Sequence, residues 1–286
     1  MHIPERLNWL RRHEAGRAWL ANLPAVVSVL VAEWKLELGE PFEGSNVSFV
    51  APAMRGTEQV VLKVQWPDDE STHEADALRV WNGEGAVRLL VRDAERHALL
   101  IERCMPGTDL AAAVGVDALA VLIDLLPRLW KVVGPPFKSL TEEALGWAAT
   151  LFADWDAAGR PCERRLIDAT AEFLDQLSKS QGEQVLVHQD LHGENVLAAQ
   201  REPWLVIDPK PLVGEREFSL APIIRSGELG HSQKDVIYRL DRLSNELGLD
   251  RDRVRRWTIA QTLAWSFDGD YAAHHFETAR WLLGAE

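Results

Sequence analysis

The chain has 286 residues, 47% of them apolar, and a formal net charge of -13. That length allows one large domain or two lobes sharing a cleft, with an ordinary share of core-forming residues. The acidic balance excludes a general affinity for nucleic acid phosphates, which needs clustered Lys and Arg; it fits a cytoplasmic enzyme, either steering a cationic substrate or simply keeping its surface soluble.

Residues 4–37 read as helix. Leu7, Leu10, Trp19, Leu23, Val27, Leu30 and Trp34 recur at spacings near three and four, with Pro24 as an interruption. Met1 to Arg12 carries charges where a secretory leader needs an apolar core, and the longest uninterrupted apolar stretches fall short of a membrane span, so no membrane partner is expected. From 36 to 64 the texture changes. Turn signals at Gly39, Gly44-Ser45-Asn46 and Arg55-Gly56 separate short apolar runs, predicting antiparallel strands over 47–50 and 59–64.

Residues 70–82 return to helical character and end at Asn82-Gly83-Glu84-Gly85. That Gly-x-Gly follows a helix rather than a strand, so it reads as a plain turn and not a nucleotide loop. A hairpin over 87–92 and 97–102 follows. Met105-Pro106-Gly107 breaks the pattern. A mostly helical region is predicted from 109 to 180, with Pro135-Pro136 as a loop inside it. Then come a buried strand at 185–187, a hairpin over 196–199 and 204–207, and helices from 217 on. The order implies a two-lobed α+β architecture. Residues 1–104 form an N-terminal lobe of helices and antiparallel sheet with one inserted helix, and 105–286 a helical C-terminal lobe. The twelve tryptophans read as core or lobe-interface anchors, and Cys104 and Cys162, far apart and outside metal-type spacing, as reduced thiols.

The chemistry concentrates in Val187-His188-Gln189-Asp190-Leu191-His192-Gly193-Glu194-Asn195, where an Asp and an Asn follow an apolar strand with four residues between them. A hairpin then leads to Val206-Ile207-Asp208-Pro209. Phosphoryl transfer from ATP needs this set: one carboxylate to take the acceptor's proton, and a second carboxylate and an amide oxygen to hold magnesium. Asp190 fits the first role, Asn195 and Asp208 the second. Upstream, Lys63 sits in an apolar strand and is expensive to bury unless paired; Glu74 on the next helix is the candidate partner, and together they suit the nucleotide phosphates. Gly44 and Ser45 belong to a turn whose amides suit phosphates. An alternative reading takes His188, Asp190 and His192 as ligands of a metallohydrolase, but no other His/Cys cluster completes the set. His188 instead suits a brace on the loop through a backbone hydrogen bond.

These residues resemble the streptomycin 6-kinase and hydroxyurea phosphotransferase family, part of the wider aminoglycoside phosphotransferase group with protein-kinase-like folds. The resemblance covers nearly the whole chain. Its most specific stretches are 188–195 and the run Arg201-Glu202-Pro203-Trp204-Leu205-Val206-Ile207-Asp208-Pro209-Lys210-Pro211, followed by Gly214-Glu215-Arg216-Glu217. It implies ATP and Mg2+ as cofactors, with adenine against the linker from Glu102 to Cys104. It also implies a hydroxyl-bearing small-molecule acceptor such as an aminoglycoside or hydroxyurea. Two departures stand out: Gln189 where many of the wider group carry Gly, and Ser219 where many carry an Asp that supports the catalytic loop. For the acceptor side, Glu215 and Arg216 lie just beyond the metal-binding run. Trp265, Asp268, Asp270 and Glu277 offer a further acidic and aromatic set for a cationic group. The rival readings are a sugar or amino-sugar kinase of metabolism and a catalytically idle nucleotide-binding module; retention of the full Lys, Glu, Asp, Asn, Asp set disfavours the second.

Overall fold

The structure, a computed structural model, describes residues 1–68, 71–267 and 272–285. The chain divides into two compact units: Met1–Gly107 together with Ala199–Leu205, and Thr108–Ala198 together with Val206–Glu286.

The first unit opens with a 3-10 helix, Glu5–Arg12, followed by α1, Glu14–Trp34. The break expected at Pro24 falls instead at His13, whose backbone is extended, and α1 runs straight through Pro24. A proline inside a helix costs about 3 kcal/mol. Leu20, Leu23, Val27 and Leu30 on both sides of it are buried, and each such side chain gains about 1.5–3 kcal/mol, so burial outweighs the lost bond. Uninterrupted, α1 has 21 residues and is long and apolar enough to cross a bilayer by length and composition. Its buried stripe lies within the core cluster of the unit's sheet.

That sheet has five strands in the order β1-β2-β3-β5-β4, formed by β1 Glu37–Leu38, β2 Ser48–Arg55, β3 Glu58–Gln65, β4 Leu89–Asp93 and β5 Ala98–Glu102. All neighbours are antiparallel. Phe49, Ala51, Ala53, Val60, Leu62, Val64, Ala98 and Leu100 share the core with α1. Strand alternation therefore turns Val61, Lys63 and Gln65 to the opposite face. There they meet α2, Glu74–Trp81, whose first residue contacts Lys63 and Gln65.

The second unit is mainly helical, with α3 Ala118–Leu129, α4 Leu140–Ala157, α5 Arg164–Ser178, α6 Ala221–Arg225, α7 Gln233–Leu247, α8 Arg251–Ala264 and α9 Ala272–Leu283. The predicted helix from 109 begins only at 118. Asp109 pairs in a β-bridge with Leu197, and the Leu110 amide donates to Gly193 O and Val196 O, so this segment braces the loop after the buried strand. That strand, β6 Gln184–Val187, is followed by β7 Val196–Ala198, after which the chain leaves this unit for Ala199–Leu205 and returns at Val206, the last residue of β8 Trp204–Val206. β6 itself pairs antiparallel with β9, Leu212–Glu215, a strand the sequence did not announce. A strand containing Gly reads poorly by propensity. Here Gly214 is needed because a Cβ would stand 2.6 Å from Leu140 Cβ. Helix α8 is buried on nearly every side, including Thr258, Gln261 and Thr262, and Gln261 Nε2 donates to Gln189 O at 2.8 Å.

Candidate active site

The loop 188–195 is held from both ends by one residue. Ile207 donates its N–H to Asn195 O at 3.0 Å and accepts at its carbonyl from His188 Nε2 at 2.8 Å. Asp208, the next residue, is thereby fixed beside the loop although a hairpin separates them in sequence. His188 is the expected brace. Burial pushes its imidazole below the ordinary value, so it stands neutral with Nε2 as the donor. Among the described residues, His188, Asp190 and His192 do not bring their ligand atoms together as a metal-binding group, so the metallohydrolase reading fails.

Two residues here adopt left-handed backbone: Gln189 with φ 38° and Asp208 with φ 55°. Non-glycine residues pay for this conformation, and such residues concentrate at functional sites. The first case explains a departure noted in the sequence. A glycine takes that turn without cost; here Gln189 takes it while buried, and its carbonyl is held by Gln261. The turn is tight, with Asp190 N donating to His188 O. Ser219, the second departure, accepts from Trp130 Nε1 at 3.1 Å and donates to Arg216 O at 2.5 Å.

Asp190 lies between two cations. Lys210 Nζ is 3.2 Å from its Oδ2 and Arg225 Nη2 is 3.5 Å from its Oδ1, with the carboxyl side chain 19% exposed. Both cations also lie over the Trp265 ring, at 5.1 and 4.5 Å from its centroid. Burial raises the Asp190 carboxyl, but the Lys210 and Arg225 cations beside it outweigh that and hold it at about 2. The group is an anion at any physiological pH.

Asn195 Nδ2 donates to Asp190 O at 2.9 Å and lies 3.2 Å from His192 Nε2. This use of its amide nitrogen orients Oδ1 as the remaining acceptor. One amide oxygen and one neighbouring carboxylate, Asp208, are hard oxygen donors of the kind magnesium takes, so the residues present fit that ion.

In the first unit, Lys63 Nζ donates to Glu74 Oε2 at 2.6 Å, and Gln65 Nε2 donates to the same oxygen at 2.7 Å. Lys63 and Glu74 are 5% and 1% exposed, so this is a desolvated pair rather than a surface one. In the turn at 43–46, the carbonyls are tied down: Gly44 O by Arg6 at 3.3 Å and Asn46 O by Trp9 at 2.7 Å, while Ser45 Oγ accepts from Ser48 N at 3.2 Å. Anchoring Gly44 O turns the Ser45 N–H of the same trans peptide the opposite way. The Glu102 carboxylate is engaged by Arg201 and by Arg88 N. Cys104 is buried, and burial together with the Glu102 charge pushes its thiol up to about 12.

The acceptor-side residues fare differently. Glu215 is 1% exposed. It accepts from Arg253 Nε at 2.7 Å, from Gly182 N at 2.9 Å and from Trp257 Nε1, which leaves no face for an acceptor. Arg216 stacks 5.5 Å over Trp130 and pairs with Glu183 at 2.6 Å. Trp265 supports cations rather than joining an acidic lining. Glu277 faces His231 at 3.7 Å. Asp268 and Asp270 lie outside the described residues. Sequence reasoning missed Lys210, Arg225 and Glu228. Lys210 sits inside the family-specific run, so its signal was present without a role. Arg225 and Glu228, which accepts from Gly193 N at 3.0 Å, carry no local motif.

The fold is that of protein-kinase-like small-molecule phosphotransferases. It superposes with a TM-score of 0.65 on a choline kinase of Streptococcus pneumoniae, at 14% identity over 92% of this chain and 99% of that one. With aminoglycoside phosphotransferase APH(4)-Ia the TM-score is 0.64, at 16% identity over 92% and 99%. Residues 34–268 match the family described as aminoglycoside/hydroxyurea antibiotic resistance kinase, and the chain belongs to that family. It is 39% identical over 275 residues to streptomycin 6-kinase of Streptomyces griseus, covering 92% of this chain and 89% of that protein. It is 40% identical over 282 residues to hydroxyurea phosphotransferase of Kitasatospora aureofaciens, covering 93% and 79%.

Proposed function

We propose that the protein is a cytoplasmic, ATP- and Mg2+-dependent kinase that phosphorylates a hydroxyl of a small antibiotic-type molecule, of the streptomycin or hydroxyurea kind. The observation that carries this reading is the Ile207 clamp, which ties Asp208 to the loop bearing Asp190 and Asn195. Its support in sequence is the likeness to kinases of both acceptors. A cytoplasmic setting agrees with two unpaired cysteines.

Asp190 accepts the acceptor hydroxyl's hydrogen bond and takes its proton. A carboxylate held near 2 is a weak base, so its main work is to orient the hydroxyl in line with the phosphoryl group, with proton transfer late, as a loose transition state allows. Asn195 Oδ1 and the Asp208 carboxylate hold Mg2+, which when bound neutralises phosphate charge. Lys63, oriented by Glu74, holds the nucleotide phosphates, and the amides of Gly44 and Ser45 face them. The backbone from Glu102 to Cys104 borders the adenine. Lys210 and Arg225 offset the negative charge that arrives beside Asp190 with the transferring group.

The test is an ADP-release screen over streptomycin, hydroxyurea, other aminoglycosides and simple sugars, with Asp190→Asn as the blank. Turnover on streptomycin or hydroxyurea should exceed that on sugars, and fall at least about a hundredfold in the variant, the range removal of an acid–base group produces. Sugar turnover alone would make this a metabolic kinase. Asp190→Asn with undiminished turnover would remove the proposed base.

A further inference from the structure

In the second unit three ligand-type side chains outside the set assigned to phosphoryl transfer converge: His231, three residues after Glu228 and just before α7, and His274 and Glu277 on α9. Their ligand atoms all lie within 4.8 Å of one another. Positions three apart on a helix share a face, so His274 and Glu277 present together. His231 comes to them from the loop that Ser232 caps onto α7.

The hydrogen bonds settle the His231 tautomer. Its Nε2 lies 3.2 Å from His274 O and 3.3 Å from Thr278 Oγ1. A carbonyl only accepts, so Nε2 carries the hydrogen, and in the neutral ring Nδ1 is left with a bare lone pair. That lone pair faces His274 Nδ1 at 3.1 Å and Glu277 Oε2 at 3.7 Å. That lone pair is met either by a proton on His274 Nδ1 or by a metal ion shared with it, and the Glu277 carboxylate beside them favours the cation. Metal-bound histidines characteristically donate the other ring N–H to a backbone carbonyl, which fixes the ring; His231 does this. The His231 ring is further held against Trp281, centroids 4.9 Å apart, and its side chain is 13% exposed.

We infer that His231, His274 and Glu277 form a site for a divalent transition metal of the zinc class, separate from the magnesium of phosphoryl transfer. Two imidazole nitrogens and one carboxylate with an open fourth position make a zinc-type ligand set. Bonds of zinc–imidazole length at a tetrahedral angle put two ring nitrogens about 3.3 Å apart, so the observed 3.1 Å needs a shift of only tenths of an ångström. Magnesium prefers oxygen donors and would not compete. The bound ion would join α9 to the loop that opens α7.

The test uses the full chain, stripped with a chelator and then titrated with Co2+ in excess Mg2+ at neutral pH, followed by visible d–d absorption and by displacement with Zn2+. One equivalent should bind with a tetrahedral-type spectrum. His274→Gln and Glu277→Gln, both at exposed positions, should each weaken binding by at least about tenfold, the loss seen when even a partner that only orients a ligand is removed, while Mg·ATP affinity stays unchanged. His231→Asn should abolish the spectrum; because that residue is more buried, the two exposed variants decide the matter if it fails to fold. Absence of Co2+ binding, an octahedral-type spectrum, or unaltered affinity in both exposed variants would overturn the assignment, the last by showing a proton bridging His231 and His274 and the metal held elsewhere.

Discussion

Arg201 grips Glu102 with a two-pronged guanidinium: Nε to Oε1 at 2.8 Å and Nη2 to Oε2 at 2.9 Å, across 99 residues of chain. Its remaining N–H groups go to Gly83 O at 2.6 Å, Ala86 O at 2.9 Å and Glu202 Oε1 at 2.6 Å. This single side chain fastens the segment Ala199–Leu205 into the first unit. Arg201→Ala should therefore cost about 3 kcal/mol, since it strands a mostly buried carboxylate and two carbonyls. Arg201→Lys should recover less than half, because an ammonium cannot make the parallel pair. Urea denaturation measures both; a loss under about 0.5 kcal/mol, the scale of a neutral surface substitution, would contradict the account.

Glu215 is a structural anion. Removing it strands Arg253, which also donates to Ser180 O at 2.6 Å, and the buried Trp257 N–H. Glu215→Ala is expected to destabilise by about 3–5 kcal/mol, as for a broken buried pair. The fraction that folds should keep the wild-type KM for the acceptor. A raised KM with unchanged thermal stability would return Glu215 to the acceptor side.

Lys210 touches the proposed base and nothing in its sequence context states its role. Lys210→Met should lower kcat by about ten- to a hundredfold with a smaller change in the KM for ATP, because the charge it offsets is largest in the transition state. Lys210→Arg should restore part of the loss. Equal falls in kcat/KM for ATP and acceptor with kcat untouched would mark Lys210 as a ground-state binding residue instead.

Both thiols should be inert in the native protein. Burial, with Glu102 nearby, pushes Cys104 up to about 12; burial, with Glu163 nearby, pushes Cys162 up to about 11. At pH 8 the thiolate fractions are then about one in ten thousand and one in a thousand. A disulfide-exchange reagent should label neither at pH 8 until denaturant is added, after which two equivalents should react. Rapid labelling of the folded protein would show that the linker region opens.

The hairpins and the loop 188–195 were legible because their signals are local. Short apolar runs between turn residues marked β3 and β5, and Asp190 and Asn195 are five positions apart in one loop; that Lys63 faces away from α1 came only from the pairing of the sheet. Where local signals and packing conflict, packing prevailed. Pro24 reads as a helix break, yet burial of Leu20, Leu23, Val27 and Leu30 carries α1 through it. Gly214 argues against a strand, yet Leu140 leaves room for nothing larger.

By itself, then, the sequence determined which functional groups are present and their order along the chain, since both are properties of covalent neighbours. The tertiary structure alone decided which charges meet: that Asp190 is flanked by Lys210 and Arg225 over Trp265, that Glu215 is sealed under Arg253 and Trp257, and that Ile207 joins Asp208 to a loop beyond the hairpin. Each of these relations depends on burial and on contacts between residues distant in sequence. The desolvation of a charge and the direction of a hydrogen bond exist only once those residues are brought together.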